Sequence, residues 1–135
     1  MTNLNEITYI DWQCKLNTIG EVAEGIDDIN QCIAIILTTK KGSVPHRPTF
    51  GSNIYKFIDY PVNEAAPNII REATDAITIW ETRISIKSIK VEIDKTNIVI
   101  KVEWTLNKTN SIKTTEVKLW HNNCQNLILL IETPN

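Results

Sequence analysis

The chain has 135 residues, 42% of them hydrophobic, a size that suits one compact domain with a single core. Its charges nearly balance, 14 Lys plus Arg against 16 Asp plus Glu, so no overall field draws nucleic acid or anionic lipid, and neither is an expected partner. The three cysteines, Cys14, Cys32 and Cys124, are odd in number and widely spaced, unlike a disulfide framework, and no stretch approaches ~20 consecutive apolar residues. With no signal-peptide pattern at the start, the expectation is a protein of a reducing cytoplasm that spans no membrane.

In chain order, Ile10, Trp12, Cys14 and Leu16 alternate with polar residues, the period of a half-buried strand ended by a turn at 17–20. From Ile26 the apolar positions Ile29, Ile33, Ile36 and Leu37 fall three or four apart, behind Asp27 and Asp28 where a helix N-terminus favours negative charge. This predicts an amphipathic helix ending near Lys41-Gly42. Two prolines and two glycines then mark 42–51 as an irregular loop. Ser52 is a candidate cap for a short helix carrying Ile54, Phe57 and Ile58. Asn63 is a candidate cap for a longer one, with Pro67 in its first turn and Ile69, Ile70, Ala73, Ala76, Ile77 and Trp80 as its buried stripe.

After Arg83 the period drops to two. Ile84 and Ile86 share one phase and Ile89, Val91 and Ile93 the other, so a bulge near Lys87-Ser88 is needed to keep both sets on the core side. A turn at 94–97, the unbroken alternation Ile98, Ile100, Val102, Trp104, Leu106, a turn at 107–111 and a third strand at 112–120 complete an antiparallel meander. Thr115, Val117 and Leu119 share one face of that third strand. Helices followed by a run of strands predict a single α+β domain over 1–135, its helices packed on one face of the meander. The apolar run 127–131 reads equally as a fourth core strand or as an exposed docking segment. Trp80 and Trp104 occupy core phases, whereas Trp12 and Trp120 fit either a core or an interface.

Little in the chain suggests catalysis. Glu81 and Arg83 stand two apart beside Trp80, where helix meets strand. Glu81 as a general acid would need a second carboxylate roughly 5–9.5 Å away; the plainer reading is a charge pair fixing a junction or an interface. If solvent-exposed, such a pair is worth only about 0–1 kcal/mol to folding. His46, His121 and Cys124 lack metal-ligand spacing, and no glycine-rich phosphate loop or nucleophile elbow is present, so no metal, cofactor or catalytic residue is expected. Lys40, Lys41, Arg47 and Lys56, near Phe50 and Tyr55, would suit single-stranded nucleic acid or, more plainly, a solvated loop.

Three segments taken together, 36–43, then Arg47-Pro48-Thr49-Phe50-Gly51-Ser52, then 58–63, resemble the baseplate W (gene-25-like) wedge proteins of contractile-tailed phages. Ile79-Trp80-Glu81-Thr82-Arg83-Ile84 is similar to that family's Glu-Pro-Arg signature, with Thr82 where the family usually has proline. The resemblance covers about 25–106, leaving 1–24 and 120–135 as terminal extensions. It implies a structural, non-enzymatic subunit that starts sheath polymerisation. The implied partners are other wedge proteins, the tail sheath, and hub, spike or tube proteins, with six copies per baseplate and assembly in the cytoplasm. It further implies that Glu81, Arg83, Arg47, Pro48, Phe50 and Gly51 face the baseplate core, and that Thr115, Val117 and Leu119 mark the strand that meets the sheath. Two alternatives of other kinds are a peptidoglycan hydrolase, after the family's older lysozyme-like label, and a stress-regulating anti-adaptor of the same fold.

Overall fold

A computed structural model describes residues 11–94 and 97–120. The expectations for Ile10, the run 127–131, His121 and Cys124 fall outside them. A small antiparallel hairpin comes first, β1 (Trp12–Cys14) with β2 (Val22–Glu24), then α1 (Ile26–Thr38), a turn of 3-10 helix at Ile54–Phe57, and α2 (Val62–Trp80). The meander β3 (Ile84–Ile93), β4 (Asn97–Leu106), β5 (Thr109–Trp120) follows, with β4 central. The fold is α+β, one small domain.

Periodicity accounts for the core. Ile29, Ile33, Ala34 and Leu37 of α1 and Ala65, Ile69, Ala73 and Ile77 of α2 form apolar stripes. They bury Ile98, Ile100, Val102 and Trp104 of β4 and Val117 and Leu119 of β5. The register of β3 against β4 shifts between Ile86 and Ser88, so Lys87 is the extra residue that lets Ile86 and Ile89 both face the core. The other face of the sheet is polar: Ser88 donates to Glu103 at 2.9 Å, and Lys101 meets Glu92 at 2.8 Å.

At the first turn of the meander, the Asp94 N–H donates to the Asn97 carbonyl at 2.8 Å. Antiparallel pairs alternate between bonded and non-bonded, so from this turn onward Val99 and Lys101 turn their backbone groups toward β3 while Ile98, Ile100 and Val102 turn theirs toward β5. Their partners Leu119, Val117 and Thr115 therefore bond back to β4. Thr114 and Glu116, between them, direct N–H and C=O away from β4, along the outer edge of the sheet.

Several local expectations need correction. Trp12 is 61% exposed, and Cys14 and Leu16 are exposed too; the inward position of β1 is the polar Gln13. Ser52 does not cap the short helix, which follows Asn53 without a side-chain cap; its buried hydroxyl donates instead to the Leu37 carbonyl at 3.0 Å. Asn63 is not the cap of α2 either: the helix starts after Pro61, and Pro67 lies in its second turn. The third strand begins at Thr109, earlier than the polar composition of 107–111 suggested.

Candidate functional site

The junction between α2 and β3 gathers most of the singled-out residues. Glu81 ends α2, its N–H donating to the Ile77 carbonyl, and its side chain turns inward. Arg83, the last residue before β3, reaches back and grips it with both prongs, Nε to Oε1 at 2.7 Å and Nη2 to Oε2 at 2.8 Å. Such a fork on a carboxylate is the strongest form of this pairing. The third arm of the guanidinium donates to Asp28 of α1 at 2.7 Å, and Asp11 lies 3.4 Å from the same nitrogen. One arginine thus serves three carboxylates. The side chains of Glu81 and Asp28 are each only 5% exposed, against 32% for Arg83, so the carboxylates of this cluster are buried and the low value of a solvent-exposed pair does not apply. These bonds hold the guanidinium more firmly protonated than usual, Glu81 contributing most.

Around this cluster the polar contacts are continuous. The Arg83 Nη2 approaches the Cys32 Sγ at 3.6 Å, and Gln13 donates to the same sulfur at 3.3 Å and to the Asp28 carbonyl at 3.0 Å. Burial, reinforced by Asp28 and Glu81, pushes the Cys32 thiol up to about 11, which makes it an inert filler and a poor nucleophile. Asn107, in the turn between β4 and β5, donates to the Thr82 carbonyl at 3.0 Å and accepts from Ser85 at 2.6 Å. The position where proline is usual is therefore braced by a side chain from the β4–β5 turn, which lies beside the start of β3. The sequence did not connect Asp28, Asp11, Gln13 or Asn107 with this junction, since each lies far from Glu81 along the chain.

The loop residues meet the other side of the junction. Phe50 packs edge-on against Trp80, centroids 5.0 Å apart, and the Arg47 guanidinium lies 6.0 Å from the centre of the Trp80 ring. Pro48 is exposed. Gly51 has φ +104°, and a Cβ there would collide with the Thr39 carbonyl oxygen. This close approach lets Ser52 N–H bond to that carbonyl at 2.9 Å and ties the loop to the end of α1. The loop is a fixed feature against Trp80, one residue from Glu81.

Thr115, Val117 and Leu119 are all buried. Their side chains belong to the core: the Trp104 indole N–H donates to the Thr115 hydroxyl at 2.8 Å, which in turn donates to Asn30 of α1 at 2.6 Å. The parts of β5 turned away from the core are its backbone edge and its alternate side chains. Among the described residues no group of three or more His, Cys, Asp or Glu could hold a metal, and no helix is long and apolar enough to cross a membrane.

The model of the gp25 baseplate wedge protein family matches residues 23–111, well over half of the chain. The chain belongs to that family. Among solved structures, a protein proposed as a tail lysozyme of Geobacter sulfurreducens is similar at 26% identity and TM-score 0.65, covering 71% of this chain and 90% of its own. A component of the baseplate complex of the type VI secretion system shares the fold at 16% identity and TM-score 0.55, covering 70% and 92%. No curated protein sequence matches. The family region contains the Asp28–Arg83–Glu81 cluster, the Arg47–Phe50 loop and the first part of β5, but leaves out β1.

Proposed function

We propose that this wedge-family chain is a non-enzymatic baseplate subunit of a contractile injection system, assembled in the cytoplasm as six copies around a hub, and that it starts sheath polymerisation at the edge of β5. The observation that carries this reading is the build of β5. Its inner residues are locked into the core, while Thr114 and Glu116 direct main-chain donors and acceptors outward. An extended segment from the sheath protein can add there, main-chain bonds supplying affinity and outward side chains register. The junction where Arg47, Pro48, Phe50 and Trp80 adjoin the Glu81–Arg83 cluster is suited to the baseplate core.

Hydrolysis fits the geometry less well, although a structural neighbour is proposed to be a tail lysozyme. Both oxygens of Glu81 accept from Arg83, and the second carboxylate, Asp28, shares that same arginine. Neither is poised across an open cleft to give a proton to a glycosidic oxygen.

The test is a proline at Glu116. It removes an outward N–H while sparing the bonds to β4, a substitution that an edge strand tolerates. Thr115→Pro, by contrast, breaks a bond to β4 and the contact to Asn30, and should unfold the sheet. Electron microscopy of particles from cells carrying Glu116→Pro should show baseplates and tubes without sheath; normally sheathed particles would refute strand addition at this edge.

A further inference from the structure

The hairpin β1–β2 is built inside out. In a two-stranded ribbon lying on a domain, the apolar face is expected to turn inward. Here the register pairs Trp12 with Glu24 and Cys14 with Val22, and this is the face turned to solvent. Trp12, Leu16, Ile19, Val22 and Ile26 are all exposed, half of the large exposed hydrophobic residues among those described. The inner face carries one small apolar residue, the buried Ala23 opposite Gln13, and is otherwise held by polar bonds. Gln31 of α1 donates to the Cys14 carbonyl at 2.8 Å and accepts from the Leu16 N–H at 2.9 Å, while Gln13 reaches the Asp28 carbonyl. The hairpin is thus pinned in an orientation that leaves a tryptophan and four aliphatic side chains in water, a cost that a partner would remove.

The rim identifies the partner's chemistry. Glu21, Glu24 and Asp27 are exposed on or beside the hairpin, with Lys15 3.1 Å from Glu21. Asp11 is exposed as well but meets Arg83 at 3.4 Å, so Glu24 and Asp27 are the carboxylates with no cation in place among the described residues. The chain's own ends do not match it: the apolar run 127–131 has no basic residue near it and is followed by Glu132, and residues 1–10 contain Glu6 and no lysine or arginine. We infer that the outer face of the β1–β2 hairpin docks a segment of another protein that presents an apolar stripe flanked by lysine or arginine. The hairpin lies almost wholly ahead of the family match. This docking does not depend on the proposed sheath function.

The probe is a fluorescein-labelled 14-residue helical peptide with leucine on one face and lysine on the other, compared with its lysine-to-glutamate counterpart by fluorescence anisotropy on the full chain. The lysine peptide should bind at least tenfold more tightly than the glutamate peptide. Trp12→Ser with Val22→Ser should weaken it at least tenfold, and Glu24→Lys with Asp27→Lys should reverse the preference. Should the serine variant lose its folded circular dichroism, the charge-reversed variant, altered only at exposed positions, decides alone. No binding, equal binding of the two peptides, or indifference to both variants would overturn the inference. So would a concentration-dependent dimer abolished by Trp12→Ser with Val22→Ser, which would make a second copy the occupant. Peptide binding that emerges only with Leu129→Asp and Leu130→Asp would overturn it too, in favour of the chain's own tail.

Discussion

Replacing Arg83 with alanine should destabilise the fold rather than merely disturb a surface. The substitution leaves two carboxylates, Glu81 and Asp28, each 5% exposed and without the cation that holds them. Breaking a buried pair by removing one member costs about 3–5 kcal/mol, because the remaining charge is stranded. Arg83 is itself 32% exposed, so water can enter where it stood, and the lower end, about 3 kcal/mol, is the better figure. With a urea dependence of about 1–3 kcal/mol per molar, the unfolding midpoint should fall by roughly 1–3 M at unchanged slope. Adding Glu81→Gln to Arg83→Ala should recover part of the loss, since the stranded charge is what costs. A pair on the sheet's polar face provides the control: Lys101→Ala leaves the well-solvated Glu92 behind rather than a buried carboxylate, and should shift the midpoint far less than Arg83→Ala. An Arg83→Ala midpoint within error of the parent would refute the claim that this cluster holds α1, α2 and β3 together.

Gly51→Ala forces a side chain onto the Thr39 carbonyl at φ +104°, and should lower Tm by roughly 5–10 °C in a calorimetric scan; an unchanged Tm would mean that the loop is not clamped to α1. Thr115→Val keeps the shape of the side chain but strands the Trp104 N–H and the Asn30 oxygen, costing about 2–3 kcal/mol by urea unfolding, and a neutral result would count against the buried relay. Cys32, with its thiol pushed up to about 11, should resist iodoacetamide at pH 8, where about one molecule in a thousand is thiolate, while exposed Cys14 reacts first. Raising the pH from 8 toward 10 should speed alkylation of Cys32 about tenfold per unit, as followed by site-resolved mass spectrometry; rates equal to those of Cys14 would refute the burial account.

Legibility in the sequence followed the range of the interactions. The stripe Ile29, Ile33, Ile36, Leu37 and the alternation of β4 were readable because a helix or strand facing a core repeats at a fixed short period. The bulge was readable for the same reason: a change of phase between Ile86 and Ile89 has only one cheap geometric remedy. The hairpin misled because the same rule assigns Trp12, Cys14 and Leu16 to a core, and nothing local reveals that Gln13 and Gln31 have better bonds to make. Ser52 misled likewise; its residue type suggests a cap, but the acceptor it found, Leu37, lies 15 residues earlier. At the junction, Glu81 and Arg83 were visible as neighbours. Asp28 was not, since 55 residues separate it from the arginine and its place at a helix start already had a sufficient explanation.

The bulge at Lys87 also gives the sheet a direction. Two strands lie at the margins, β3 and β5, and on backbone chemistry alone either could recruit a further strand. The extra residue in β3 breaks the even spacing that a newcomer would need, and α2 packs alongside it. The register of β5 against β4 is continuous from Ile112 to Trp120. On backbone geometry the β5 margin is the even one and the β3 margin the interrupted one, so the strand addition proposed at β5 has no equivalent at β3, and end-to-end growth of the sheet through both margins is disfavoured.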